Sequence, residues 1–441
     1  MTRGSVATLG LTLGLLLISP RHAAADAVTD WNTTAGKAVL AACLSPLQDP
    51  LHESRLYAMM HVAIHDALNA IDRRSRPYAF RKRSEWGVSP DAAIAAAARR
   101  VLVKLIGEIG FPFPPACGEA GLALVDADYQ VALAAIPAGE AKVKGILLGE
   151  AAAAAVLAVR AGDGADTPLL DFAYPQGSQP GEYRFTPGFN FALAPGWGSV
   201  APFVPDNGDF RVRRPFRVTS RKYLADFNEV KGLGGDGLTT PSARTADQTE
   251  IALFWVESAP LQWNRIARVV SATAGLDPWE NARLFGLLNM ALADGYVTTF
   301  AAKYQYNFWR PVTAIRTADT DGNPDSVADP TWTPLVPTPP IPEHDSGHSV
   351  EGGAAAQVLK RFFGRDDIAF STCSLTLPPG QTCADVSPVL RSYTGFTHAA
   401  RENGLSRILV GFHFRNAVEQ GIAHGRSIGN HVVSHALRPV E

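Results

Sequence analysis

NARLFGLLNMALADGYVTTFAAKYQYNFWRP, residues 281–311, decides the fold. Apolar side chains recur in it at three- and four-residue spacing with no strand-like alternation, which predicts a long helix wrapped by other helices. Lys303 and Arg310 stand seven residues apart near its end. That is close to two helical turns, so the spacing predicts both cations on nearly one face, with Pro311 ending or kinking the helix. Like charges on one face repel, and the flanking Tyr304, Tyr306, Phe308 and Trp309 argue for partial burial. The arrangement makes more sense with an anion between the cations than as a solvated basic face.

The same helical texture fills most of the chain, as in ESRLYAMMHVAIHDALNAI (53–71), DAAIAAAARRVLVKLIGEI (91–109), QTEIALFWVES (248–258) and the run from Leu405 to Leu437. The fold class read from it is all-α, with two packed helical bundles and long irregular connecting loops. The expected organisation is a leader over 1–25, an N-terminal helical region over 26–170, a Pro-, Gly- and aromatic-rich connection over 171–244, and a C-terminal helical region over 245–441 that carries the site. So many aromatics in the connection seek burial that it is expected to drape over the helices. GLGGDG at 232–237 reads as a plain loop, because no preceding strand or following GK[ST] supports a phosphate loop.

With 40 Lys plus Arg against 42 Asp plus Glu, no global field points to nucleic acid or an anionic membrane. Any anion site must be local. The start has the outline of a signal peptide: Arg3, an apolar stretch from Leu9 to Ile18, then Ala23 to Ala25. Its apolar run is shorter than the roughly 20 residues a spanning helix needs. The expectation is a secreted or periplasmic protein with no stable membrane anchor. Four cysteines, Cys43, Cys117, Cys373 and Cys383, allow three pairings. The short spacing of Cys373 and Cys383 favours that bridge, with Cys43 to Cys117 as the other.

Two further stretches carry chemistry. In PEHDSGHSVEGGAAAQVL (342–359), Asp345 or Ser346 is placed to cap the following helix, whose start directs unpaired N–H groups at an anion. Gly347 lets an oxyanion approach its amide, and His348 is placed to exchange a proton. In SRILVGFHFRNAVEQGIAHG (406–425), Arg407 offers a planar fork for two oxygens. His413 would be a nucleophile or ligand if its second ring nitrogen were held by a partner.

The joint order K-x6-RP, SGH and SR-x5-H resembles the signature of the vanadium-dependent haloperoxidase and type 2 phosphatidic acid phosphatase superfamily. RLYAMMHVAIHDALNAI, WRPVTAIR and DFNEVKGLGGDGLTTPSARTADQTEIALFW resemble its soluble bacterial haloperoxidase-like branch. The resemblance implies that Lys303, Arg310, Ser346, Gly347 and Arg407 hold the oxygens of vanadate or phosphate, that Lys303 also polarises bound peroxide, that His413 is the metal ligand or phosphoryl acceptor, and that His348 is the acid-base residue. It implies a secreted haloperoxidase using hydrogen peroxide, halide and a small organic acceptor, with a homodimer among the partners to be looked for. The alternatives are an acid phosphatase working through a phosphohistidine and a non-catalytic oxyanion-binding protein.

This chain departs from the pattern in three places. Asp345 replaces a proline, with helix capping as the benign explanation; Ala417 replaces an aspartate, for which Asn416 or Glu419 would substitute; and the gap between SGH and SR is long. Phe300 and Ile341 stand where the family's halide preference is partly set, and neither is polar. Among other candidates, His61 and His65 beside Asp66 read as core or supporting groups rather than metal ligands. Asp294 is equally a partner for a site cation and a plain helix-face charge. His344, His398 and His424 read first as bland histidines and second as groups that shape halide or proton traffic.

Overall fold

The computed structural model describes residues 1, 26–206, 210 and 212–440; apart from Met1, the expected leader lies outside them. The N-terminal part is built from α1 (Ala27–Ala41), α2 (Pro50–Ile71), α3 (Pro90–Ile106), α4 (Pro115–Ala135) and α5 (Glu140–Val159). A connection carrying α6 (Arg221–Leu233) leads to α7 (Ala246–Phe254), α8 (Ala259–Ala274), α9 (Pro278–Tyr306), α10 (Pro311–Arg316), α11 (Gly347–Phe363), α12 (Phe396–Leu409) and α13 (Arg415–His435). Two short antiparallel pairs, β1 (Leu170–Asp171) with β2 (Ala192–Leu193) and β3 (Phe370–Thr372) with β4 (Arg391–Tyr393), are the named strands among the described residues. The bridges Cys43–Cys117 and Cys373–Cys383 both form.

Helix starts follow the local chemistry. Proline occupies the first turn of α2, α3, α4, α8, α9 and α10, where its missing N–H costs nothing. Reciprocal capping boxes, Thr245 with Gln248 and Asp277 with Glu280, open α7 and α9. α9 is long and apolar enough to cross a membrane, yet it is buried almost throughout. It packs on α2 on one side and on α11 and α13 on the other, so one apolar core runs from Trp31 and Met60 through Leu288 to Val350 and Ile428.

The expectation that Lys303 and Arg310 share one helix face is corrected here. α9 stops at Tyr306, and Asn307 turns the chain with φ 46°, a left-handed conformation that asparagine tolerates. Arg310 is then the cap of α10, which Pro311 opens rather than breaks. Asp294 likewise pairs with no site cation: its carboxylate accepts the amides of Phe203 (2.6 Å) and Val204 (2.9 Å) and ties the connection to α9. At the other side Arg160 pairs with Asp163 (2.7 Å) and donates to the carbonyls of Ala201 and Pro202.

α11 and α13 approach closely because α13 presents glycine at every fourth position. A Cβ built at Gly421, Gly425 or Gly429 would fall 2.7, 1.9 and 2.7 Å from the carbonyl oxygens of Ser346, Val350 and Ala354. Gly118 in α4 is a helical contrast, since a Cβ there meets the Ile106 carbonyl oxygen at an ordinary 3.7 Å. Alanine normally stabilises a helix relative to glycine by up to about 1 kcal/mol, whereas overpacking costs about 1–3 kcal/mol or more. Gly118→Ala is therefore expected to stabilise the protein and Gly425→Ala to destabilise it. Urea denaturation of the two variants checks this, and equal stability would refute the close approach.

Candidate functional site

Lys303, on the last turn of α9, is 1% exposed. Its ammonium donates to the carbonyls of Pro342 (3.1 Å), Glu343 (2.9 Å) and Asp345, so all three N–H donors hold the loop that leads into α11. Burial, then the Arg310 charge, push its pKa down to about 7. Arg310 donates from Nε to Ile341 O (2.6 Å) and from Nη1 to Phe412 O and His413 Nε2, both 3.0 Å. Arg407 donates to Ser406 Oγ (3.0 Å) and Trp255 O (2.6 Å). Burial pushes Arg310 down to about 10 and Arg407 down to about 9. Among the described residues no carboxylate hydrogen-bonds or ion-pairs with Arg407, and Nη2 of Arg310 and Nη1 of Arg407 have no protein partner.

His413 is 5% exposed and sits among these cations. After burial, Arg310, Lys303 and Arg407 in that order hold its pKa well below the ordinary value. Its Nδ1 lies 3.0 Å from Glu343 Oε1, the same oxygen that accepts the Phe414 amide at 3.0 Å. An oxygen already accepting one N–H marks Nδ1 as the second donor, which leaves the Nε2 lone pair to accept from Arg310 Nη1. Glu343 is therefore the orienting partner. Asn416 and Glu419 are not: the Asn416 amide binds Asp226 Oδ2 (2.9 Å), and Glu419 is exposed. Sequence reasoning missed Glu343, although it lies within the quoted PEHDSGH segment; its separation of 70 residues from His413 left no local signal. Burial raises its carboxyl to about 8 against the opposing effect of Lys303 and Arg310.

The helix start also differs from expectation. Ser346 is the cap residue of α11, but its side chain makes no capping bond and instead accepts from Ser349 Oγ (2.9 Å). Its amide donates to Ala417 O (3.1 Å), so the hydroxyl, not the amide, is what Ser346 has to offer. Gly347 faces open room, since an added Cβ would meet only Thr299 Cγ2 at 3.9 Å. Asp345 does not cap either. Its carboxylate takes His424 Nδ1 (2.9 Å) and Thr299 Oγ1 (3.3 Å). Burial alone would raise Asp345, but His424, then His344 and Lys303, hold it below the usual carboxylate range. His348 lies 3.1 Å through Nε2 from Glu257 O, and burial followed by Arg407 pushes it down to about 3.

The remaining candidates have structural partners. His61 bonds Asn32 (2.7 Å), and His65 bonds Ser75 (2.6 Å) and Asp66 (3.0 Å). Asp66 itself accepts three consecutive amides, Tyr78 to Phe80. His344 reaches Arg213 O (2.7 Å), and His398 contacts Thr394 near the surface. Phe300 and Ile341 belong to a separate apolar cluster with Trp197 and Tyr296.

Positive charge thus exceeds negative charge in a buried space with free guanidinium nitrogens, a hydroxyl and an open glycine edge. Those donors suit a small tetrahedral oxyanion such as vanadate or phosphate, held by Arg310, Arg407, Ser346 and Gly347, with Lys303 supplying charge and His413 Nε2 a ligand atom. A family model described as the VCPO second helical-bundle domain matches residues 283–441. The vanadium chloroperoxidase of Curvularia inaequalis is 27% identical over 236 residues, which is 42% of this chain and 38% of that protein. A bacterial vanadium-dependent iodoperoxidase structure aligns with TM-score 0.75 at 22% identity over 94% of this chain and 97% of that one. A holo bacterial vanadium-dependent chloroperoxidase aligns with TM-score 0.71 at 16% identity over 91% and 94%. In its C-terminal bundle and in its overall fold the chain is thus similar to vanadium-dependent haloperoxidases.

Proposed function

We propose that this protein is a secreted or periplasmic vanadate-dependent haloperoxidase that oxidises a halide with hydrogen peroxide to hypohalous acid, which halogenates a small organic acceptor. The observation that carries the reading is the burial of Lys303, Arg310 and Arg407 around His413 without matching carboxylates. The two disulfides fit an oxidising compartment. When bound, vanadate would supply Lewis-acid activation of peroxide without change of oxidation state. The chain's own groups do the rest. Arg310 and Arg407 would neutralise oxygen charge, Glu343 keeps the His413 proton on Nδ1 so that Nε2, which accepts from Arg310 here, would serve as the ligand atom, and His348 would exchange protons at the edge.

Reconstitution with vanadate, followed by peroxide, bromide or iodide and a β-diketone, tests this. Halogenation is expected, and His413→Ala should abolish it. Phosphate release from an aryl phosphate without vanadate, in place of halogenation, would move the assignment to a phosphatase using His413 as nucleophile. Neither activity with oxyanion binding retained would leave a non-catalytic binding protein.

A second expectation concerns pH. Lys303 carries its proton below about 7, so its charge attracts an anion there and is lost as pH rises. Sulfate, which does not titrate in this range, should bind tightest below pH 7 and weaken above it in isothermal titration. For folding the sign is opposite: between about 7 and the ordinary lysine value the unfolded chain binds the extra proton, so Lys303 adds stability as pH rises through that window. Sulfate affinity that is flat from pH 6 to 9 would contradict the buried-lysine account.

A further inference from the structure

Glu343 uses only one of its carboxyl oxygens on His413. The other, Oε2, has no hydrogen-bond partner among the described residues and lies 3.9 Å from His344 Nδ1, too far for a direct bond. Both residues line a cavity of about 10 Å³ between the start of α13 and α6, together with Asp226, Asn416 and Ala417. The Asn416 side-chain oxygen is buried there without a partner. Asp226 accepts the Asn416 amide through Oδ2, which leaves Oδ1 uncommitted. Aromatic rings of Tyr223 and Phe414 close the space. Such a volume admits about one water, and a buried water is retained where two to four polar groups surround it. A polar gap near 4 Å between a carboxylate and an imidazole is the spacing that a bridging water fills.

We propose that this cavity holds one ordered water that joins Asp226 to Glu343, and that Asp226 is through it a positioning residue for His413. The chain Asp226, water, Glu343, His413 Nδ1 fixes the carboxyl plane of Glu343 from the side opposite the oxyanion. α6, part of the irregular connection, thereby becomes a supporting wall of the site. The methyl side chain of Ala417 is what leaves the room. The inference rests on His413 as the oxyanion ligand, and its test is chosen to separate the two.

The full-length protein, labelled with ¹⁵N-histidine, reports the His413 tautomer by NMR without any anion, and equilibrium dialysis with inorganic vanadate reports affinity. Asp226→Ala removes the far carboxylate, and Ala417→Val fills the water space without touching either carboxylate. Each is expected to shift part of His413 toward the Nε2–H tautomer and to weaken vanadate binding about tenfold, in the range found for groups behind a ligand. Asp226→Asn, which still hydrogen-bonds the water and the Asn416 amide, should restore wild-type behaviour. Folded Asp226→Ala and Ala417→Val proteins with the wild-type tautomer and affinity would overturn the proposal. Should Asp226→Ala fail to fold, Ala417→Val decides alone by the same criterion. If wild-type protein binds no vanadate, the functional assignment falls, while the tautomer still decides whether Asp226 acts on His413.

Discussion

The contact between the backbones of α11 and α13 is the constraint on which the site depends. One helix begins with Ser346, Gly347 and His348, and the other follows directly after His413, so their separation sets the width of the candidate site. The stripe Gly421, Gly425 and Gly429 brings carbonyls of α11 against bare α-carbons of α13. Ser346 N to Ala417 O at 3.1 Å closes the same contact at its mouth. A helix pair separated by ordinary side chains would sit at roughly 8–10 Å between axes, and larger residues at these positions would widen the space in which Arg310 already touches His413.

Within that frame the site stores unfavourable electrostatics. Three buried cations face two nearby carboxyls, of which Asp345 is engaged by His424 and Glu343 is raised by burial. Buried charge without compensation costs several kcal/mol per ion even after relaxation. A fold that tolerates this must be stable elsewhere, and the continuous core around α9 supplies that stability. On the proposed function, an anion entering the space would relieve this repulsion, through groups the fold already holds in place.

Helix content and the three motif stretches were legible in the sequence because both depend on local spacing. The apolar period of residues 281–306 marks the central helix, and Lys303, Arg310, Arg407 and His348 lie within electrostatic reach of His413. Local spacing misled where the chain turns: the distance from Lys303 to Arg310 looks helical, but Asn307 adopts a left-handed conformation that no periodicity reveals. Capping fails for a different reason at each residue: Asp345 is engaged by His424 across the fold, and the Ser346 hydroxyl accepts from Ser349 Oγ in the first turn of α11. Partners distant in sequence were not legible. Glu343 to His413, Asp294 to the Phe203 and Val204 amides, and Asp345 to His424 each span at least two helices.

Glu343 and Asp345 show how one short loop assigns opposite duties to two acids. Their side chains reach different partners, Glu343 the ring of His413 and Asp345 the ring of His424 in α13. The three carbonyls of the segment, from Pro342, Glu343 and Asp345, converge on the Lys303 ammonium. Lys303 thus does more than add charge: it fixes the loop conformation that separates the acids. Substituting it would be expected to release Glu343 from His413 as well as to remove a cation. A lysine that both charges this space and shapes it couples the tautomer of His413 to its own protonation, because the ammonium that places positive charge beside His413 also holds the loop bearing the carboxyl group on Nδ1.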